Sequence, residues 1–249
     1  AIRLYRNNTD IGMTSNWNKA VEYASGQWIC FMCDDDTLLP GSLNRVRNFI
    51  SCYEPPFLIL QNTLCKEDTE WLEPGPKSSK KILLPPAAGQ FWHRQITDNL
   101  GGFDRRIKYC PDAEFWPRIA SNYPVLMVKD LLSQPNQHDT NYMWVAFRSE
   151  DFLEQVEISI RLTAKHILGE NASNTLVLEA FVDDGLWETL RTVINNTFLM
   201  PGKMKYFFKY VSAFYRLSLK LSRFNTMLYT FLRLPPLRAM YIYRKLMNK

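Results

Sequence analysis

The first half of the chain alternates short apolar runs with stretches of helical period. Residues 2–6 read as a short strand and residues 13–24 as a helix, with Thr14 or Ser15 as its cap and Gly26 ending it. Residues 28–32 are nearly continuous in apolar side chains, the pattern of a strand covered on both faces. Pro40 opens a second helix that extends to Cys52, and residues 57–61 form the next strand. This β–α–β–α–β rhythm predicts a mostly parallel sheet with right-handed crossovers, flanked by helices. Residues 66–89 are rich in Pro, Ser, Lys and Glu and read as loop with one strand at 82–84. A helix over 112–122 follows, which Pro117 must kink, and then a strand at 125–128. Beyond Glu150 the pattern turns helical, over 152–168 and 174–197.

The length of 249 residues allows one α/β domain and a smaller appended unit, and 46% apolar residues supply an ample core. The chain begins at Ala1 directly before the first predicted strand and shows no signal peptide. The expectation is that it starts inside a domain. Five scattered cysteines suit a reducing, cytosolic setting better than a disulfide scaffold. Cys30 and Cys33 form a CxxC, but no second pair offers zinc-ligand spacing, so both read as small core residues.

Asp34, Asp35 and Asp36 follow the apolar strand directly. Three adjacent carboxylates repel one another and are costly to desolvate unless a cation joins them. The carboxyl end of a strand is also where ligands bind in open α/β sheets. Oxygen ligands there suit Mg²⁺ or Mn²⁺ bridging to a diphosphate. On spacing alone, a metal site and a solvated acidic turn before a helix are equal readings.

The surrounding residues change that balance. Asn7-Asn8-Thr9-Asp10-Ile11-Gly12-Met13, Asn16-Trp17-Asn18, Ala24-Ser25-Gly26, the apolar strand, the aspartates and Pro40 together resemble the donor-binding half of family-2 glycosyltransferases. Gly101-Gly102-Phe103-Asp104, then Asp112-Ala113-Glu114-Phe115-Trp116 with Arg118, resemble a second block of that family, and His138 with Asn141 a third. The resemblance covers residues 2–145 and implies a GT-A-like fold, incomplete at the N-terminus, with a helical C-terminal extension. It implies an inverting transfer from a nucleotide-sugar donor to a hydroxyl of a glycan or polyprenyl-linked acceptor. Asn18, Asp34 and Asp35 fall at the donor. Asp34, Asp35, Asp36 and His138 fall at a divalent cation, Mg or Mn. Asp112 stands at the catalytic base, and Glu114 and Trp116 at the acceptor.

Each role has a plainer alternative: Asp112 as a helix cap, His138 as an exposed loop histidine, Asn18 and Glu114 as solvated helix residues, Trp116 as core. His93 and His166 belong to no motif and read as surface positions. The chain departs from the family at Cys33, in place of a first aspartate, at Pro111 in place of a glutamate, and at Trp17 and Asn136, each in place of an arginine. A sugar nucleotidyltransferase and a non-catalytic membrane-associated partner are the competing classes.

Charge is divided unevenly. The segment 199–249 holds eleven Lys or Arg and no Asp or Glu, while the rest holds 19 basic and 25 acidic residues, a balance of −6. On a helical wheel from Lys203, residues Lys205, Lys209, Arg216, Lys220 and Arg223 fall between about 200° and 260°. Met204, Phe207, Phe208, Val211, Phe214 and Tyr215 fall between about 20° and 140°. No apolar run is long enough to span a bilayer. The expectation is three parts: a glycosyltransferase domain over 1–148, a helical extension over 149–198, and a membrane-associating tail over 199–249. The tail would lie on an anionic surface, peripheral on the inner face of the cell membrane, and nucleic acid is not an expected partner.

Overall fold

The computed structural model describes residues 2–62, 65, 67–82, 88–136, 142–198 and 204–221. The chain divides into two compact units, Ala1–Leu178 and Glu179–Lys249.

The first unit opens with an exposed segment and not a strand. Ile2 and Leu4 are almost fully exposed and pair with nothing in either sheet. Helix α1 (Met13–Tyr23) starts at Gly12, whose φ of 76° favours a residue without a Cβ. Neither Thr14 nor Ser15 caps it. Thr14 instead donates to the Ile107 carbonyl at 2.5 Å. Strand β1 (Trp28–Phe31) leads into a turn and a two-residue strand β2 (Thr37–Leu38). Then come helix α2 (Ser42–Cys52), β3 (Leu58–Gln61), β4 (Thr69–Leu72), helix α3 (Pro76–Lys81), β5 (Gln90–His93) and helix α4 (Arg94–Leu100). Helix α5 (Asp112–Asn122), β6 (Val125–Val128), β7 (Ser133–Gln134), helix α6 (Tyr142–Arg148) and helix α7 (Phe152–Leu168) follow.

Five strands form one sheet in the order β1-β5-β3-β6-β4, and β2 pairs with β7 in a second, small sheet. Strands β1, β3 and β6 run one way; β5, inserted between β1 and β3, and the edge strand β4 run the other. The expected parallel frame is thus present in three strands, with β3·β6 as its directly bonded ladder. β4 and α3 lie where the sequence read as loop. Ile82 immediately follows α3, and Leu83 and Leu84, the rest of the predicted strand, lie outside the described residues.

Both faces of the sheet carry core. Leu58, Leu60, Trp92, Val125 and Met127 pack with Phe103, Phe115, Trp116 and Ile119 on one side. Phe57, Ile59, Phe91, Leu126 and Val128 pack with Val46 and Leu132 on the other. Every residue of β3 and β6 is buried, whereas β1 alternates between half-buried and buried. Its apolar run is therefore covered fully on one face only: Ile29 and Phe31 point into the first core, while Trp28 and Cys30 rest partly exposed on the second. Apolar continuity marks a strand but does not report its neighbours.

Helix α7 does not start a separate extension. It packs on α5 and α3 inside the first unit, so the structural division falls after Leu178 and not after residue 148. Helix α8 (Thr175–Phe198) begins at the end of the first unit, and α9 (Met204–Lys220) lies in the second. In that second unit Tyr210 and Phe214 are buried, Phe214 stacks on Trp187 at 4.2 Å between ring centroids, and Lys220 pairs with Asp183 at 2.7 Å. The apolar arc is thus divided: Phe214 is buried, and Phe208 and Tyr215 are exposed. No helix of the described residues is long and apolar enough to cross a membrane.

Candidate active site

The aspartates sit where β1 ends. Phe31 closes the strand, Cys33 to Asp36 form the turn, and the Asp36 amide bonds back to the Cys33 carbonyl at 3.3 Å. The small sheet then fixes the far side. β2 pairs with β7, which brings Asn136 round so that its backbone N–H donates to Asp36 Oδ1 at 3.2 Å. β7 is itself held from below by Gln61 at the end of β3. The Gln61 Oε1 accepts from the Leu132 and Ser133 amides at 2.8 and 2.9 Å, and its Nε2 donates to Ser133 Oγ at 2.7 Å. Gly89 fits against Ser133 only because it lacks a side chain: a Cβ there would lie 2.1 Å from Ser133 Oγ, and its φ is 77°.

The three aspartates do not act as one group. Ligand atoms of Asp35, Asp36 and Cys33 lie within 4.8 Å of one another, whereas Asp34 is exposed and outside that set. Burial and the neighbouring Asp35 and Asp34 charges raise the Asp36 carboxyl above its usual range, partly offset by the Asn136 amide. Burial, then Asp36 and Asp35, push the Cys33 thiol up to about 12. Cys33 is thus more than the small core residue expected from the CxxC: it packs on the core and also hydrogen-bonds with Asp36. All five cysteines are free thiols. Two carboxylates converging with a third donor are a donor set that suits a divalent cation. His138, the other expected ligand, lies outside the described residues.

Asp112 opens α5. Burial raises its carboxyl to about 6, even though its own amide and that of Ala113 donate to it. Its charge reaches Cys33 and helps to raise that thiol, so Asp112 and the strand-end turn share one electrostatic environment. Tyr109, three residues before Asp112, has its ring 6.0 Å from that of Tyr142 in α6. The preceding Cys110 is held at φ 53°, a left-handed turn that aims the start of α5.

Three of the expected site residues have partners within the fold. Asn18 is buried, and both ends of its amide are used on one residue: Oδ1 accepts from the Phe103 amide at 2.7 Å and Nδ2 donates to the Phe103 carbonyl at 2.8 Å. It ties α1 to the loop after α4. Glu114 is 3% exposed and accepts from Arg118 Nε at 2.8 Å and Nη2 at 3.1 Å, with His166 Nε2 at 3.2 Å. Arg118 and His166 hold its carboxyl below the usual range despite burial. Trp116 is fully buried against Trp92 and Phe103. Both are buried, Glu114 held by Arg118 and His166 and Trp116 packed in the core. His166, read as a surface position, is drawn into this network from α7.

A mixed α/β domain of this topology, with carboxylates at a strand end and a half-buried carboxyl opening a core helix, is GT-A-like. Residues 1–104 match the sequence profile described as glycosyl transferase family 2. It is 27% identical over 156 residues to an uncharacterised protein of Mycobacterium tuberculosis, covering 53% of this chain and 49% of that one. It is 24% identical over 165 residues to a PGL/p-HBAD biosynthesis glycosyltransferase of Mycobacterium bovis, covering 64% of each. The chain therefore spans between about half and two thirds of the length of these relatives. Among solved structures, a crystal structure of Staphylococcus aureus TarS (residues 1–349) aligns with a TM-score of 0.46 and 15% identity, over 85% of this chain and 72% of that one.

Proposed function

We propose that this chain carries the catalytic part of an inverting, metal-dependent glycosyltransferase that moves a sugar from a nucleotide-sugar donor to an acceptor hydroxyl. The observation that carries this reading is the Cys33–Asp35–Asp36 cluster at the end of β1, whose thiol feels the Asp112 charge, in a chain whose first 104 residues match the family profile. Asp35 and Asp36 are the residues that would hold a divalent cation, Mg or Mn. Once bound, the cation supplies Lewis-acid stabilisation of charge on the leaving diphosphate. Asp112 accepts the proton of the acceptor hydroxyl as that oxygen bonds to the anomeric carbon. The bond to the diphosphate oxygen breaks on the opposite face, which inverts the centre. For this Asp112 must be ionised and within hydrogen-bond reach of the hydroxyl.

The acceptor class proposed is a glycan or polyprenyl-linked glycan of surface polysaccharide synthesis. Support for a membrane-borne acceptor comes from the tail: eleven cations and no carboxylate over 199–249, with Phe208 and Tyr215 exposed on α9. The protein would then sit peripherally on the cytoplasmic membrane face. Two assays test the reading. Release of nucleoside diphosphate is measured across UDP-, GDP- and dTDP-sugars with Mn²⁺ or Mg²⁺, in the parent, Asp36→Ala and Asp112→Asn; undiminished turnover in both variants would sink the mechanism. Flotation with anionic liposomes is compared with and without residues 199–249; equal flotation, or none in either, removes the membrane reading.

A further inference from the structure

The first turn of α5, which presents Asp112, is poorly held by its own helix. No side chain caps it, and Pro117 has no N–H to give the Ala113 carbonyl one turn back. That orphaned carbonyl is met from α7, where the Thr163 hydroxyl lies 3.3 Å from it and 2.8 Å from its own Ser159 carbonyl. The same helix supplies His166, whose Nε2 meets the Glu114 carboxylate at 3.2 Å while its Nδ1 lies 3.4 Å from Ser121 Oγ. The nitrogen facing a carboxylate carries a proton in either the Nε2–H tautomer or the imidazolium, so His166 is a donor in both states.

The network continues on the other side. Arg118, paired with Glu114, donates from Nη1 to the Leu100 carbonyl and from Nη2 to the Gly102 carbonyl, each at 2.6 Å. Asn18 clamps the next residue, Phe103. Glu114 is therefore the joint at which α7, α5 and the 100–103 loop meet, two residues beyond Asp112 and on the same helical turn.

We propose that His166 is a positioning residue for Asp112: its hydrogen bond to Glu114, beside the Thr163 contact to Ala113, sets the rotation of the first turn of α5 and with it the Asp112 carboxylate. The proposal rests on the reading of Asp112 as the base, and it assigns α7 to the catalytic machinery rather than to an appendage. Glu114 belongs to the support of the site and not to substrate recognition.

The test compares His166→Phe, which keeps a ring and loses the donor, with His166→Gln, whose carboxamide N–H reaches the same carboxylate. Hydrogen exchange is followed at the Glu114 and Phe115 amides, which bond to the Pro111 carbonyl. Turnover is followed with whichever nucleotide sugar of the panel above the parent chain uses. His166→Phe is expected to speed exchange at those two amides and to lower kcat by about tenfold, with KM for the donor within about twofold, since misplacing a catalytic group costs rate more than binding. His166→Gln is expected to restore both. Unchanged exchange in His166→Phe, or equal loss in the two variants, would overturn the proposal. If the parent turns over no nucleotide sugar, the proposed function fails on its own, and the exchange comparison alone decides whether His166 sets this turn.

Discussion

The chain holds two clusters of carboxylates that look alike as sequence and differ in environment. At the end of β1, Asp35 and Asp36 converge with a thiol, and burial and their own repulsion raise Asp36. On α5, Glu114 is more deeply buried, yet its carboxyl is lowered, because Arg118 and His166 both donate to it. The first cluster gathers donor atoms of like charge, whereas the second carries its counter-charges. A buried carboxylate with cationic donors in place holds structure together, whereas converging carboxylates without them are poised for a cation. Asp112 stands between the two: half-buried, with backbone amides as donors, it is raised to about 6 by desolvation.

The largest effect that would break this contrast is at Asp112. Asp112→Asn should lower turnover by about 10²- to 10⁴-fold, the usual contribution of a positioned base, with the protein still folded. In the parent, activity should fall as pH drops through about 6, where the folded Asp112 takes up its proton. Stability has its own sign. Asp112 binds a proton more tightly folded than unfolded, so its contribution is most favourable at low pH and declines as pH rises through about 6. Asp112→Asn removes that slope, which urea unfolding at a series of pH values would reveal. Glu114 runs the other way: its stabilisation is present above the ordinary carboxyl range and is lost as acid protonates it.

Next in size is Arg118→Ala. It strips the buried Glu114 of two hydrogen bonds and frees the 100–102 carbonyls, and should destabilise by about 3 kcal/mol, measured by denaturant unfolding. In a Glu114→Gln background the same change should cost clearly less, since no buried charge is then stranded. Equal costs would show that Glu114 is not held by Arg118. Gly102→Ala comes third. Its Cβ would fall 2.2 Å from Asn18 Oδ1, and Asn18 cannot move without losing Phe103. A loss of about 1–3 kcal/mol in thermal or urea melts is expected. The smallest effect separates the aspartates. Asp36→Ala should weaken Mn²⁺ binding by about tenfold in titration calorimetry, while Asp34→Ala, outside the convergent set, leaves it within about twofold.

Much of the frame was legible along the chain. The runs at β3 and β6 and the periods of α1, α5 and α7 match the elements found, because strand and helix periodicities are local properties of the side chains that reach the core. What misled were residues whose type is polar and whose position is not. Asn18, Glu114 and His166 carry hydrogen-bonding groups that suit a substrate equally well, and only the fold shows that Phe103, Arg118 and each other satisfy them. Trp116 was ambiguous for the opposite reason, since an aromatic ring serves a core or a sugar equally.

The sequence by itself determined the βα frame, the acidic turn after β1, the helix that Asp112 opens and the concentration of positive charge in the last fifty residues. The tertiary structure alone decided that Asp35 and Asp36, without Asp34, converge with Cys33, and that α7 belongs to the same unit as α5. It also decided that Glu114 is a structural joint. The physical reason is that a charged group's role depends on whether its counter-charge arrives from elsewhere in the chain, and Arg118 and His166 reach Glu114 from 4 and 52 residues away.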